Sequence, residues 1–185
     1  MTTKRRERDA MFQLAFLVST AAHSILGTCD RLRTACGIVQ KKRLRGFGFN
    51  GSVSGLPHCD DVGHLLEEGH CVATIHGEDN AILNTDPALL IGAQAIVTAT
   101  PCVNCIKRLL QAGIGRVDFY GEYSNSIGRT KTAAMARTKK VPLVQHTVDW
   151  AEIFQRLFDL LARKGGILHI AGYRLRVTKE PMDRS

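Results

Sequence analysis

The sequence predicts an α/β fold, a three-layer α/β/α sandwich around a mixed five-stranded sheet. Short apolar runs of strand length alternate with stretches whose apolar residues recur at helical spacing, the pattern of a partly parallel sheet covered by helices. At 185 residues and 44% hydrophobic content, the chain can bury one sizeable core, so a single domain over 1–185 is expected. No internal repeat or low-complexity segment interrupts it.

Each element has its own local reason. Residues 10–27 read as the first helix, with Leu14, Phe16, Leu17, Val18, Ala21, Ile25 and Leu26 at helical spacing. Residues 35–40 and 44–49 read as two strands joined by the basic turn Lys41-Lys42-Arg43. Gly46 and Gly48 let the second strand run close to other backbone before an Asn50-Gly51 turn. Residues 51–72, rich in Gly, His and Cys, read as a long loop with a role at a site. A helix opens at His76 and continues through Leu83, with Pro87 near its end. Residues 93–98 form a buried strand, and Pro101 suits the first turn of a helix through Cys105, Leu109 and Leu110 that Gly113 closes. Residues 116–120 are the next strand. Residues 150–163 form an amphipathic helix ended by Gly165-Gly166, and 167–175 read as the last strand. Residues 179–185 form a frayed tail.

Charge is unevenly placed. The total is +8, and residues 1–45 hold ten Lys and Arg against Glu7, Asp9 and Asp30. A basic end suits an anionic partner, whether a phosphorylated nucleotide or nucleic acid, although a solvated face reads the same way. Lys4, Arg5, Arg6 and Arg8 ahead of an apolar stretch resemble a signal peptide superficially. Gln13 breaks that stretch, and helical spacing favours a core helix. No run reaches the roughly 18 apolar residues of a membrane span. The expectation is therefore a protein without a membrane partner, located in the cytoplasm, with its six cysteines reduced.

The chemistry is concentrated in two motifs. His76-Gly77-Glu78 and Pro101-Cys102-Val103-Asn104-Cys105 read H-x-E, then P-C-x-x-C, with 25 residues between His76 and Cys102. Zinc takes imidazole and thiolate ligands, and a catalytic site keeps three protein ligands and an open position for water. His76, Cys102 and Cys105 supply three. Glu78 lies close enough to move protons without being a ligand. A structural zinc knuckle would want a fourth protein ligand. Both half-sites fall at helix N-termini, where the positive end of the dipole favours thiolate. The Gly77 or Cys102 N–H could hold a base carbonyl.

This signature is that of the zinc-dependent nucleobase deaminases. From about residue 10 to 125 the chain resembles the deoxycytidylate (dCMP) deaminase family of the cytidine deaminase superfamily. The likeness rests on Gly46 to Gly51, Asp79-Asn80-Ala81-Ile82, Thr98 to Cys105, Gln111 to Ile114, and the Val117, Tyr120 and Tyr123 ending. It implies a cytidine deaminase-like fold and hydrolysis of dCMP to dUMP and ammonia. Asn50 would hydrogen-bond the deoxyribose or base, and Tyr123 would lie against the pyrimidine. Gly77 departs from the alanine usual there. The resemblance further implies a second zinc pinning the loop, with Cys29, Cys59 and His70 matching best and His64 a fourth ligand. Cys36, His58 and Cys71 lie nearby. It also implies a homo-oligomer, often a hexamer, regulated by dCTP and dTTP. Arg31 and Arg33, between first helix and first strand, are candidates for the substrate phosphate.

Two other readings stay open: a deaminase of another cytosine substrate (cytidine, a nucleoside triphosphate or single-stranded nucleic acid), and a catalytically silent, zinc-stabilised binding protein.

Overall fold

The structure is a computed structural model that describes residues 2–123 and 128–181. The chain divides into two compact units, one of residues 19–146 and one of residues 1–18 with 147–185.

Helix α1 (Thr3–His23) begins in the smaller unit and ends in the larger, followed by a 3-10 turn at Ser24–Leu26. It starts seven residues before the expected position 10 because Lys4, Arg5, Arg6 and Arg8 are straight-chain residues that lose little freedom in a helix. By length and composition alone, Thr3–Leu26 is long and apolar enough to cross a membrane, as core helices of soluble proteins also are.

In the larger unit, β1 (Ala35–Gln40) and β2 (Arg43–Phe49) form an antiparallel hairpin. Lys41 and Lys42 both adopt positive φ, 51° and 58°. That is the conformation of a two-residue turn whose twist matches the strands. The expected loop at 51–72 is broken into short pieces: β3 (Gly51–Ser52), α2 (Cys59–Val62), β4 (Leu66–Glu67) and β5 (His70–Cys71). After β6 (Thr74–Ile75) come α3 (Gly77–Leu83) and α4 (Pro87–Leu90). Pro87 thus opens a helix of its own rather than closing α3. Asp86 caps it by accepting the Ala88 N–H at 2.8 Å. Then follow β7 (Gln94–Val97), α5 (Val103–Gln111), β8 (Arg116–Phe119), α6 (Arg129–Thr138) and β9 (Leu143–Gln145).

The sheet is mixed and five-stranded, in the order β2-β1-β7-β8-β9. β1 runs antiparallel to both neighbours, while β7, β8 and β9 are parallel. Helices cover both faces. A Cβ on Gly48 would lie 2.1 Å from the Ala81 nitrogen and 2.2 Å from the Gly77 oxygen, so α3 rests directly on β2 where there is no side chain. On the opposite face, a Cβ on Gly37 would lie 2.4 Å from Thr20 Oγ1, and the His23 ring stacks on Phe47 at 3.6 Å. The last turns of α1, the sheet, and α3 with α5 are the three layers. Ile38, Val97, Ile106, Leu109 and Val117 are buried in one core between sheet and helices. Each such side chain contributes about 1.5–3 kcal/mol on burial.

The fifth strand is not where the sequence reading puts it. Residues 167–175 are not a strand: α8 (Ile167–Ile170) occupies the start, Gly172 turns the chain with φ +77°, and residues 173–181 have no regular structure. Ile167 and Ile170, three apart, are one helical turn apart and both exposed. The strand that completes the sheet is β9. With three residues it shows no alternation, and it is selected by parallel pairing with β8 through the α6 crossover. Neither α6 nor β9 is anticipated by the sequence reading.

In the smaller unit, α7 (Trp150–Leu161) is capped by Asp149, which accepts the Ala151 N–H at 2.9 Å. Gln155 accepts the Val177 N–H at 2.9 Å, and Lys179 pairs with Asp149, so the start of the expected frayed tail is tied to α7. Residues 182–185 lie outside the described residues.

Candidate active site

His76 and Cys102 occupy equivalent places, the N-cap positions of α3 and α5, both extended (ψ 153° and 167°) and neither capping its helix through the side chain. An N-cap is usually Ser, Thr, Asp or Asn, whose oxygen takes a helix N–H. Here the two side chains are left for other partners. Cys105 lies one turn after Cys102 on the same face. His76 Nδ1 is 3.2 Å from Cys105 Sγ and 3.7 Å from Cys102 Sγ, and the two sulfurs are 3.5 Å apart. In tetrahedral zinc with ordinary Zn–S and Zn–N lengths, such edges measure about 3.6–3.8 Å. The triangle therefore fits that ion with little adjustment.

Electrostatics agree with a metal-ligating cluster. The hydrogen bond between Cys102 and Cys105, followed by that with His76, holds the Cys102 thiol down at about 3 despite burial. Hydrogen bonding to Cys102 raises His76 to about 9. Its bond with Cys102 and its own burial push Cys105 upward. Thiols and imidazole must give up their protons to bind a metal, and the lowered Cys102 is already inclined to do so.

Glu78, in the first turn of α3, is only 5% exposed. Burial pushes its carboxyl above the usual range, outweighing the pull of the nearby His76. A buried carboxyl beside a metal-ligating triangle is a candidate proton carrier. Gly77 stands between the two. A Cβ there would approach the Gly48 and Thr34 carbonyl oxygens to 3.2 and 3.4 Å, close but not prohibitive.

A cavity of about 920 Å³ opens over these residues, ample for a nucleotide-sized ligand. Arg31, Asn50, His76, Glu78 and Tyr123 line it, and Arg33 is not among its lining residues. The Arg33 guanidinium is turned to the Gly27 carbonyl and to Asp60 at 3.0 Å, so the phosphate expectation for it is corrected. Arg31 donates to the Gly69 carbonyl at 2.9 Å. Asn50 lines the cavity but is also a clamp: its oxygen accepts the Thr34 N–H at 2.7 Å, and its amide donates to the Leu32 carbonyl at 2.9 Å.

A second group that could hold a metal ion differs in membership from the expected one. Cys29, Cys59, His64 and Cys71 have ligand atoms all within 4.8 Å of one another. Cys29 Sγ is 3.6 Å from His64 Nδ1, and Cys59 Sγ is 3.6 Å from Cys71 Sγ. His70 is replaced by Cys71. Adjacent strand residues face opposite ways, so β5 can offer only one of them to the cluster, and that one is the cysteine. The other imidazole nitrogen of His64 meets Asp30 at 2.9 Å, the carboxylate–histidine arrangement that orients a metal ligand. Burial pushes Cys59 up to about 12. Burial of Cys71 is outweighed by hydrogen bonds, the Ala73 amide first, which bring it to about 7. Cys36 is not in this cluster and lies in the core on β1.

Three further pocket residues escaped the sequence reading. Asn104, Arg108 and Gln111 line the cavity from α5, at the i, i+4, i+7 spacing that marks one helix face. Arg108 pairs with Asp79 of α3. Thr100, inside the Thr98 to Cys105 likeness, was likewise given no role of its own. Its hydroxyl donates to the Gly121 carbonyl at 3.0 Å and accepts the Tyr123 N–H at 3.2 Å, which fixes Tyr123 at the rim.

Residues 5–121 match the family model described as the cytidine and deoxycytidylate deaminase zinc-binding region. The chain is 39% identical to the ComE operon protein 2 of Bacillus subtilis over 151 residues, spanning 80% of this chain and 76% of that protein. It is 32% identical to the deoxycytidylate deaminase of Mycobacterium phage D29 over 114 residues, 55% of this chain and 88% of that one. In three dimensions it resembles the dCMP deaminase of cyanophage S-TIM5, solved with dCMP and dUMP. That likeness has a TM-score of 0.58 at 22% identity over 79% of this chain and 99% of that one, and it speaks to the fold. With its zinc-binding motifs inside the matched region, the chain belongs to the dCMP deaminase family of the cytidine deaminase superfamily.

Proposed function

We propose that the protein hydrolyses dCMP to dUMP and ammonia, at a zinc held by His76, Cys102 and Cys105. The observation that carries this reading is the buried Glu78 set beside three converging ligand atoms on one wall of a nucleotide-sized cavity. When bound, zinc supplies a Lewis acid that makes water nucleophilic near neutral pH. Glu78 takes a proton from the attacking water, passes one to the ring nitrogen, and delivers one to the departing ammonia. Its burial keeps bulk water from competing for those protons. The free N–H groups at the starts of α3 and α5 are donors for the base carbonyl. Tyr123, fixed through Thr100, lies against the pyrimidine, and Asn50 keeps the 32–34 wall in place beside the sugar. Arg31 takes the phosphate.

Cys29, Cys59, His64 and Cys71 form a closed four-ligand set, the kind suited to a structural zinc. In this reading it fastens the 53–72 segment beside the cavity.

The test is ammonia release from dCMP, deoxycytidine and a single-stranded oligonucleotide, measured side by side with the wild type and Arg31→Ala. The expected result is turnover of dCMP above the other two, with Arg31→Ala raising KM about tenfold or more for dCMP and far less for deoxycytidine. A wild-type preference for deoxycytidine or the oligonucleotide would overturn the nucleotide reading. Equal KM changes for both small substrates would remove Arg31 from phosphate recognition.

A further inference from the structure

Residues 53–72 expose apolar surface out of proportion to their length. Val53, Leu56, Val62, Leu65, Leu66 and Val72 are all exposed, Val62 at 69% and Leu65 at 61%. Val72 lines the large cavity, but soluble surfaces scatter such residues singly, and the other five within 20 residues mark an interaction surface. The same arm carries Asp60, Asp61, Glu67 and Glu68 and no Lys or Arg. Asp60 pairs with Arg33. Among the described residues, no cation pairs with Asp61, Glu67 or Glu68. The tight Glu68-Gly69 turn, with φ 48° and 78°, shapes the arm's tip, and in the proposed function a metal at Cys29, Cys59, His64 and Cys71 would fasten it further. A preformed arm loses little freedom on docking.

The complementary surface is on the same chain. Between α5 and α6 lies a groove of about 610 Å³ with Leu110 and Met135 in its floor and Lys107, Arg108 and Lys139 around it. No acidic residue lines it. From Tyr123 to Val148 the chain has five Lys and Arg and no Asp or Glu. The exposed Lys131, Arg137 and Lys140 extend the positive field along and just beyond α6. An apolar, acidic arm and an apolar, basic groove match in both chemistry and charge.

We infer that the 53–72 arm of one copy docks in the α5–α6 groove of a second copy of this chain. Two different patches meet, so the contact is head-to-tail, and repeated copies close into a ring where the rotation permits. Arg108 and Gln111 line both the groove and the large cavity. A docked arm therefore borders the neighbour's substrate cavity, and assembly covers one edge of that site.

Sedimentation velocity of the full chain with zinc tests this, using three charge variants. Glu67→Lys/Glu68→Lys alters the arm, Lys107→Glu/Lys139→Glu alters the groove, and a third variant combines all four changes. Each single-surface variant should keep its circular dichroism spectrum yet dissociate, its Kd rising about tenfold or more. The combined variant, with both charges exchanged, should reassociate, which a merely misfolded chain cannot do. Leu65→Ser/Leu66→Ser tests the apolar part independently and should dissociate as well. A monomeric wild type, assembly indifferent to charge reversal, or a combined variant no better assembled than the single ones would each overturn the inference.

Discussion

At the scale of single residues, the site depends on what burial does to Glu78. A carboxyl exposed to water titrates near 4.3 and exchanges protons with bulk solvent. Glu78, 5% exposed at the first turn of α3, has its carboxyl raised by desolvation while remaining beside His76. Glu78→Gln keeps the shape and volume but removes the carboxyl that carries protons in the proposed reaction. The expected outcome is retained zinc and unchanged thermal unfolding, with kcat for ammonia release from dCMP reduced about 10²–10⁴-fold. Turnover within a fewfold of wild type would remove Glu78 from the chemistry. His76 and Cys102 show the same economy. Each forgoes an N-cap hydrogen bond, worth about 1 kcal/mol, and frees a ligand atom at the positive end of a helix.

At the scale of elements, the parallel half of the sheet is tied together by a buried acid. Asp118 of β8 is 1% exposed and is held by Arg116 at 2.5 and 2.7 Å, by His146 just beyond β9 at 2.6 Å, and by Gln94 of β7 at 2.9 Å. Burial raises its pKa, but the bonds from Arg116, His146 and Gln94 prevail and hold it below the usual carboxylate range. A group whose folded pKa is depressed lends stability above its unfolded pKa, near 3.9, and loses it as pH falls through the lower folded value. Asp118→Asn should therefore cost about 1–3 kcal/mol at neutral pH in denaturant unfolding. The gap to wild type should narrow as pH falls below the unfolded value of about 3.9. A gap independent of pH would show that shape, not charge, joins these strands.

For the whole molecule, two clusters of side chains could each hold a metal ion. The open three-ligand set is suited to catalysis and the closed four-ligand set to architecture. Metal analysis should find about two zinc ions per chain, within the reading given above. Cys102→Ser/Cys105→Ser should lose one of them together with turnover, leaving most of the thermal stability. Cys59→Ser/Cys71→Ser should lose the other and lower Tm, because zinc binding to a folded site adds directly to folding free energy. Both ions should be released as pH falls, since thiols and imidazoles must be deprotonated to bind. Two ions retained by either double variant would show that its cysteines are not ligands.

The sequence by itself determined the α/β class, the β1–β2 hairpin and the α3 start, and it singled out His76, Glu78, Cys102 and Cys105; Pro101, expected in the first turn of α5, instead precedes its N-cap Cys102. These depend on neighbours in the chain: periodicity, turn residues, and ligands placed one helical turn apart. Only the tertiary structure decided the rest. β9 is too short to show a pattern and exists because β8 offers an unpaired parallel edge, while residues 167–175, apolar but without a strand partner among the described residues, form a short helix and irregular chain. Cys71 rather than His70 joins Cys29, Cys59 and His64 because strand alternation and distance in space, not spacing in sequence, select the fourth ligand. Arg33 was as plausible as Arg31 on composition alone. What separated them is the position of Asp60, 27 residues away, which takes the Arg33 charge and leaves Arg31 lining the cavity. Local patterns are written in the chain, but which distant groups meet is settled by packing, because a contact between remote residues leaves no period in the sequence.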